Sequence, residues 1–390
     1  MAEAAALPRR GTAGELPVAR SRFGFGWEAP ALIGITLALL LIGMVTVYSA
    51  SAVMALNDGL PDYFYVVRQA AGAAAGFAFL GVMANLDYRH LRLLAWPVLL
   101  VVVGMLVLTV VGPDSIAPER NGAHRWLYLG PVGLQPSEFA KLALITWTAA
   151  LTVKKQDRLS SLSRGLAPFL VMWLLVGSLV LLQPSMSAAA LIILLSALVV
   201  FAGGARIGHF ILLGAVGLPL VWSQIQGVAY RFSRIASFLD PNHDPAGQSY
   251  QINQALIAIG SGGLFGRGLG HGQQKFGFLP EPHNDFLLAM IGEEWGFLGV
   301  ATIVLLFSGF TLIGFRIARD AEDLFGFLLA IGITNLVAIQ AFMHMLINLA
   351  WFPTTGVTLP FMSYGRSSLL VCLIGVGILA SIARRRGAAE

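Results

Sequence analysis

The chain has 390 residues, 57% of them hydrophobic and only 12% charged, and its mean hydropathy is +0.76. A water-soluble domain of this size cannot carry so apolar a surface, so the composition excludes that class and requires a bilayer. The net charge of +5 and the pI of about 9.6 trace to loop Lys and Arg, so neither calls for nucleic acid.

Residues 1–28 are polar, carry Arg9, Arg10, Arg20 and Arg22, and lack a cleavable signal pattern. They read as a cytoplasmic tail before a first span that acts as an uncleaved anchor. Ten apolar runs follow, each near the roughly 20 residues that about 30 Å of hydrocarbon demands. They lie at Ala31–Ala50, Tyr65–Leu86, Leu93–Gly112, Pro136–Val153, Leu166–Leu182, Ser187–Phe201, Ile207–Trp222, Phe286–Phe315, Leu324–Ala350 and Ser367–Ala383. Arg89 and Arg92 follow the second run, Lys154, Lys155, Arg158 and Arg164 the fourth, Arg206 the sixth, Arg316 and Arg319 the eighth, and Arg384, Arg385 and Arg386 the tenth. Retention of Lys and Arg in the cytoplasm puts both termini there, which requires an even number of spans. The expected fold is therefore an all-α polytopic membrane domain over 29–384, with a second cytoplasmic tail at 385–390. Cys372 stands alone and can form no intramolecular disulfide. The absence of an evident internal repeat weighs against inverted-repeat transporter architectures.

Two loops expected outside the cytoplasm are long: about 113–135, between spans three and four, and 223–284, between spans seven and eight. Long ordered loops usually carry function. Within the second, Tyr250–Ile259 has apolar residues at helical spacing and reads as a short interfacial helix. The glycines from Gly260 to Gly272 lack the βαβ unit of a dinucleotide site, so tight turns and close backbone approach account for them better.

His271, Glu281, His283 and Asp285 match no metal-ligand spacing. Asp285 stands where the chain enters the eighth span, which suits a helix cap or first-turn acid and equally a lone functional acid. Glu138 and Lys141, three residues apart on one face of the fourth span, form either a mutual ion pair that locks the bundle or the wall of a wet cavity. Glu293 and Glu294 point in different directions, so at most one can share the face of Asp285.

These polar positions fall in motifs: Asn121-Gly-Ala-His-Arg-Trp126, Gln135-Pro-Ser-Glu-Phe-Ala-Lys141, Phe238-Leu-Asp-Pro241, Tyr250-Gln251 with Gln254–Gly263, Leu279-Pro-Glu-Pro-His-Asn-Asp-Phe286, Gly292-Glu-Glu294 and Pro353–Gly365. In this order they resemble the SEDS family (shape, elongation, division and sporulation), the FtsW-like members more than the RodA-like ones. Two positions depart from the family pattern. Gln183-Pro-Ser185 replaces Gln-Pro-Asp, and Gly365-Arg-Ser-Ser368 replaces Gly-Gly-Ser-Ser.

The resemblance implies a peptidoglycan glycosyltransferase that polymerises lipid II at the outer face of the bacterial cytoplasmic membrane. It implies Asp285 as general base, with Arg125, Arg231, Arg234 and Lys275 as cations for the diphosphate leaving group. Glu138, Lys141, Glu281 and His283 would position substrate or tune the base. No built-in cofactor is expected, with Mg²⁺ or Mn²⁺ as an optional source of positive charge. The implied partners are lipid II, a class B penicillin-binding protein transpeptidase and other divisome or elongasome membrane proteins. Two other classes stay open: a lipid II flippase, for which Glu138 and Lys141 would line the path, and a non-catalytic scaffold, to which the missing acid at Ser185 would point. Only transfer needs a base at Asp285.

Overall fold

The computed structural model describes residues 26–119, 122–130, 132–240 and 247–385. Most of the N-terminal tail, Asn121, Pro241 and Arg386 lie outside the described residues. Lipid offers the backbone no hydrogen-bond partner, so apolar runs must become helices, and each of the ten does. They are α1 (Glu28–Asn57), α2 (Phe64–Asn85), α3 (His90–Val111), α4 (Pro136–Lys154), α5 (Ala167–Leu182), α6 (Met186–Ala202), α7 (Ile207–Gln226), α10 (Leu287–Arg319), α11 (Leu324–Asn348) and α12 (Arg366–Arg385). Between α7 and α10 lie two shorter helices, α8 (Ala229–Leu239) and α9 (Gln248–Gly262). The segment Tyr250–Ile259 is thus helical as the spacing indicates, whereas α8 and the hairpin β1 (Leu127–Leu129) and β2 (Val132–Leu134) arise in stretches that carried only loop motifs.

Eight of these segments are long and apolar enough to cross a membrane, the fifth counted from the π-helical turn at Leu162. The other two are α6, at 17 residues, and α4, whose apolar content Glu138 and Lys141 dilute. Charge can be placed in α4 because that helix is wrapped by α3, α6, α11 and α12. The interface of α2 with α12 depends on small residues. A Cβ on Gly377 would come within 2.6 Å of Leu80 O, and one on Gly76 within 2.3 Å of Leu373 Cδ1, the close approach that drives helix pairing in lipid. By contrast α7 stands at the edge, touching the bundle near its start through Phe210 against Phe201, with ring centroids 5.8 Å apart.

Cations gather at one end of the bundle: Arg89 pairs with Glu322 at 2.6 Å and with Asp323 at 3.4 Å, Arg316 with Glu28 at 3.4 Å, and Arg385 with Asp87 at 3.1 Å. The starts of α4, α10 and α12 meet at the other end, tied by Gln135 N–H donating to Ser367 Oγ at 3.0 Å and Ser363 Oγ donating to Asn284 O at 2.7 Å.

The eighth apolar run is not one continuous helix. Gly296 sits at φ 68°, ψ −162°, a break inside α10 that only glycine adopts readily. A break in a membrane-spanning helix frees carbonyls and N–H groups that must find partners. The glycine-rich segment supplies them. Arg267 and Gly268 donate N–H to the carbonyls of Glu293 and Glu294, both at 3.0 Å, and the carbonyls of Gly263 and Leu264 accept from Phe297 and Leu298 at 2.8 and 3.2 Å. Gly262 and Gly266 press on α10 so closely that a Cβ would lie 1.9 Å from Gly292 O and 2.2 Å from Glu294 O. Close backbone approach is what those glycines serve.

Candidate active site at the α10 entrance

Asp285 occupies a turn just before α10. Glu281, at φ 49°, accepts the N–H groups of Asn284 and Asp285 through its carbonyl at 3.1 and 3.2 Å. The N-cap of α10 is Phe286, with no side-chain cap, so Asp285 does not cap the helix. Its carboxylate makes no hydrogen bond to a described residue. Its Oδ2 faces Gly356, at φ +69°, where a Cβ would stand 3.6 Å away.

The 353–365 segment is sewn to this turn. Tyr364 N–H donates to His283 O at 3.0 Å, and the imidazole of His283 packs between the rings of Tyr65 and Tyr364, with centroids at 4.7 and 5.5 Å. Asn348 Nδ2 donates to Asp285 O at 3.2 Å and to His344 O at 2.8 Å, while its Oδ1 accepts Ala289 N–H at 3.0 Å. His344 Nδ1 lies 2.8 Å from Val357 O, which makes Nδ1 the protonated nitrogen and leaves Nε2 an acceptor. That Nε2, His283 Nδ1, Asn284 Oδ1 and Thr355 Oγ1 are buried without a protein partner.

The electrostatics of the turn follow from burial. Desolvation and then the nearby Glu281 carboxylate raise the Asp285 pKa to about 6, against the opposing pull of Arg234 and Arg125. Burial also raises Glu281 and lowers His283 to about 4. His283 Nε2 lies 3.8 Å from Glu281 Oε2, but an imidazole with that pKa is neutral at pH 7, so this is a polar contact and not an ion pair.

Of the cations named from sequence, Arg125 and Arg234 lie where Asp285 feels their charge. Arg125 is aimed by the carbonyls of Gln183 and Pro184, which accept from Nε at 3.0 Å and from Nη2 at 2.8 Å. The two residues just before Ser185, where the chain departs from the family pattern, therefore hold Arg125, and Ser187, two residues after it, donates to Thr355 O at 2.9 Å. Arg231 turns back toward α7, donating to Gln224 O at 3.2 Å. Lys275 is buried elsewhere, its Nζ 2.5 Å from Gly270 O and 3.6 Å from Glu294 Oε1.

Glu138 and Lys141 form an ion pair at 2.7 Å, 8% and 3% exposed. With its amide oxygen toward Lys141, Gln340 accepts from Nζ at 2.5 Å and donates to Leu336 O at 3.3 Å, the orientation that satisfies both of its ends. Gln340, His344 and Asn348 stand at i, i+4 and i+8 on α11 and form one stripe, which runs about 12 Å from the buried pair to the Asp285 turn. No expectation from sequence named this stripe. Three polar residues at helical spacing inside an apolar run were its signal.

Neither Glu293 nor Glu294 serves Asp285 directly; both face the 267–275 segment. Among the described residues no group of three His, Cys, Asp or Glu side chains could hold a metal ion.

The apolar helices define a polytopic helical membrane protein. The chain belongs to the FtsW/RodA/SpoVE family, described as cell cycle proteins, which it matches over residues 30–387. It is 41% identical over 367 residues to the probable peptidoglycan glycosyltransferase FtsW of Trichlorobacter lovleyi, covering 94% of this chain and 96% of that one. To stage V sporulation protein E of Bacillus subtilis it is 40% identical over 353 residues, 90% and 96% of the two chains. A solved structure concerned with coordination of polymerization and crosslinking by a peptidoglycan synthase complex superposes with a TM-score of 0.74 at 27% identity, over 91% of this chain and 97% of that one. The rod-shape-determining protein RodA of Thermus thermophilus gives a TM-score of 0.66 at 28% identity, over 91% and 96%. The higher identity to FtsW and SpoVE sequences accords with the FtsW-like character of the motifs.

Proposed function

We infer that this chain is a peptidoglycan glycosyltransferase that joins lipid II units at the outer face of the bacterial cytoplasmic membrane, with Asp285 as general base. The observation that carries the reading is Asp285 itself: a carboxyl that caps nothing and bonds to no described side chain, with a pKa of about 6 beside Arg125 and Arg234. A base works best with a pKa near the operating pH. An acceptor sugar hydroxyl gives its proton to Asp285 as its oxygen bonds to the donor's anomeric carbon. The bond from that carbon to the diphosphate breaks, and the negative charge moves onto the diphosphate near Arg125 and Arg234. A diphosphate leaves without being protonated, so the second carboxyl group of a glycosidase is not required. Any divalent cation would arrive with the diphosphate, as an Mg²⁺ or Mn²⁺ titration of the assay would read.

The loop cations support ten spans with both termini in the cytoplasm, and on that topology Asp285 faces outward, where two lipid-linked reactants can meet while their tails stay in the bilayer. Likeness to a chain from a peptidoglycan synthase complex supports a class B penicillin-binding protein as partner. The deciding experiment supplies lipid II to the purified pair and looks for glycan strands on a gel. Polymer from the native pair and none from Asp285→Asn is the expected result. Normal polymerisation by the variant would overturn the mechanism, precursor translocation in proteoliposomes without polymer would establish a flippase, and neither activity a scaffold.

A further inference from the structure

Two glutamates at the α10 break hold the base of the segment that carries Asp285. Gln273 N–H donates to Glu293 Oε1 at 2.7 Å and Gln274 N–H to Oε2 at 3.2 Å, so one carboxylate closes a loop reaching back 20 residues;. Lys275 enters next to it. Its Nζ donates to Gly270 O at 2.5 Å and lies 3.4 Å from Ser49 Oγ of α1 and 3.6 Å from Glu294 Oε1. Ser49 Oγ in turn donates to Glu294 Oε1 at 2.6 Å. The Lys275 and Glu294 side chains are 8% and 0% exposed. Gly272 must lack a side chain here, since a Cβ would stand 2.9 Å from Glu293 Oε2 and 3.1 Å from Glu294 Oε1. From Lys275 the chain passes one apolar anchor, Leu279, buried with Phe286 and Met290, and then reaches the Asp285 turn.

The height of this cluster follows from helix geometry. From Glu28, paired with Arg316 at the opposite end, α1 rises about 32 Å to Ser49, close to the hydrocarbon thickness of about 30 Å. The cluster therefore fastens the loop where the hydrocarbon ends.

We propose that Lys275 and Glu294 are positioning residues for Asp285: their buried pairing pins the 273–276 turn to α1 and α10 and so fixes where the Asp285 turn stands over the membrane. This rests on the reading of Asp285 as base. Lys275 then does not meet the leaving diphosphate, because Glu294 already neutralises it and the carbonyl of Gly270 and Ser49 fill its other donor directions. Removing one partner leaves the other charge buried and uncompensated, which opens the turn, whereas removing both leaves no such charge.

The test uses the full chain with its transpeptidase partner and three variants: Lys275→Met, Glu294→Gln and the two combined. Each single variant should lose about 10²-fold in kcat for lipid II polymerisation with little change in KM, the cost of a misplaced base. Backbone amides of 276–286 should exchange faster with deuterium in both. The combined variant should return kcat to within about threefold of native and restore protection, the non-additivity of a coupled pair. A Lys275→Met variant that raises KM with unchanged exchange, or a combined variant no better than Lys275→Met alone, would overturn the proposal. A native pair that makes no polymer would sink the glycosyltransferase reading instead, while the exchange measurement would still decide the latch.

Discussion

The two ends of the bundle handle charge in opposite ways. At the end where α1 begins, three cations have an acid at ion-pair distance on a neighbouring element: Arg89 with Glu322 and Asp323, Arg316 with Glu28, Arg385 with Asp87. At the end where α10 begins, Asp285 makes no such pair. Its nearest acidic neighbour raises its pKa, its arginines act from beside it, and several buried polar atoms around it lack protein partners. Matched charges fasten helices, while mismatched ones hold a group ready to change its protonation state.

The sharpest attempt to break that contrast is Asp285→Asn, which should lower lipid II polymerisation by a factor on the order of 10² to 10⁴, the usual worth of a general base. Thermal stability in detergent should stay near native, because the side chain bonds to no described residue. Next in size is Lys141→Met, which leaves Glu138 buried without its partner. It should cost about tenfold or more in activity, and Glu138→Gln added to it should recover part of the loss; a loss unchanged in the double variant would place the two residues in separate roles.

A smaller effect appears in the pH profile. The base must be deprotonated, so kcat/KM should fall as pH drops through about 6. Glu281→Gln removes a negative neighbour that favours the protonated acid, and the acidic limb should move to lower pH; Arg234→Gln removes a positive one and should move it up. Movement of both limbs in the same direction would refute the assignment. The smallest effect is expected at the other end. Arg89→Gln breaks exposed ion pairs that contribute little to stability, and polymerisation should remain within about twofold of native.

Sequence and structure agree where a single physical rule operates. Apolar runs about 20 residues long had to become helices in lipid, and α1 to α7 and α10 to α12 follow those runs with ends that differ by a few residues. Asp285 and Arg125 stand in motifs of the sequence and Arg234 among the cations of the 223–284 loop, conspicuous because few polar residues interrupt an apolar chain. What stayed hidden depends on partners distant in sequence. Gly296 reads as one more glycine in an apolar run, and only the 263–268 segment, which satisfies the exposed backbone, turns it into a break. Lys275 reads as an external cation until Glu294 and Ser49 are seen around it. Gln340, His344 and Asn348 are spaced for one helix face, but their purpose emerges only from Lys141 at one end and the Asp285 turn at the other.

The break in α10 also bears on how the protein is assembled. The four backbone bonds that satisfy it come from residues 263–268, so α10 inserted into a bilayer alone would have no reason to bend at Gly296 and every reason to close its own hydrogen-bond ladder. The bent form is a tertiary product that exists once the preceding segment has docked. The bend is therefore a property of the packed bundle and not of α10 alone.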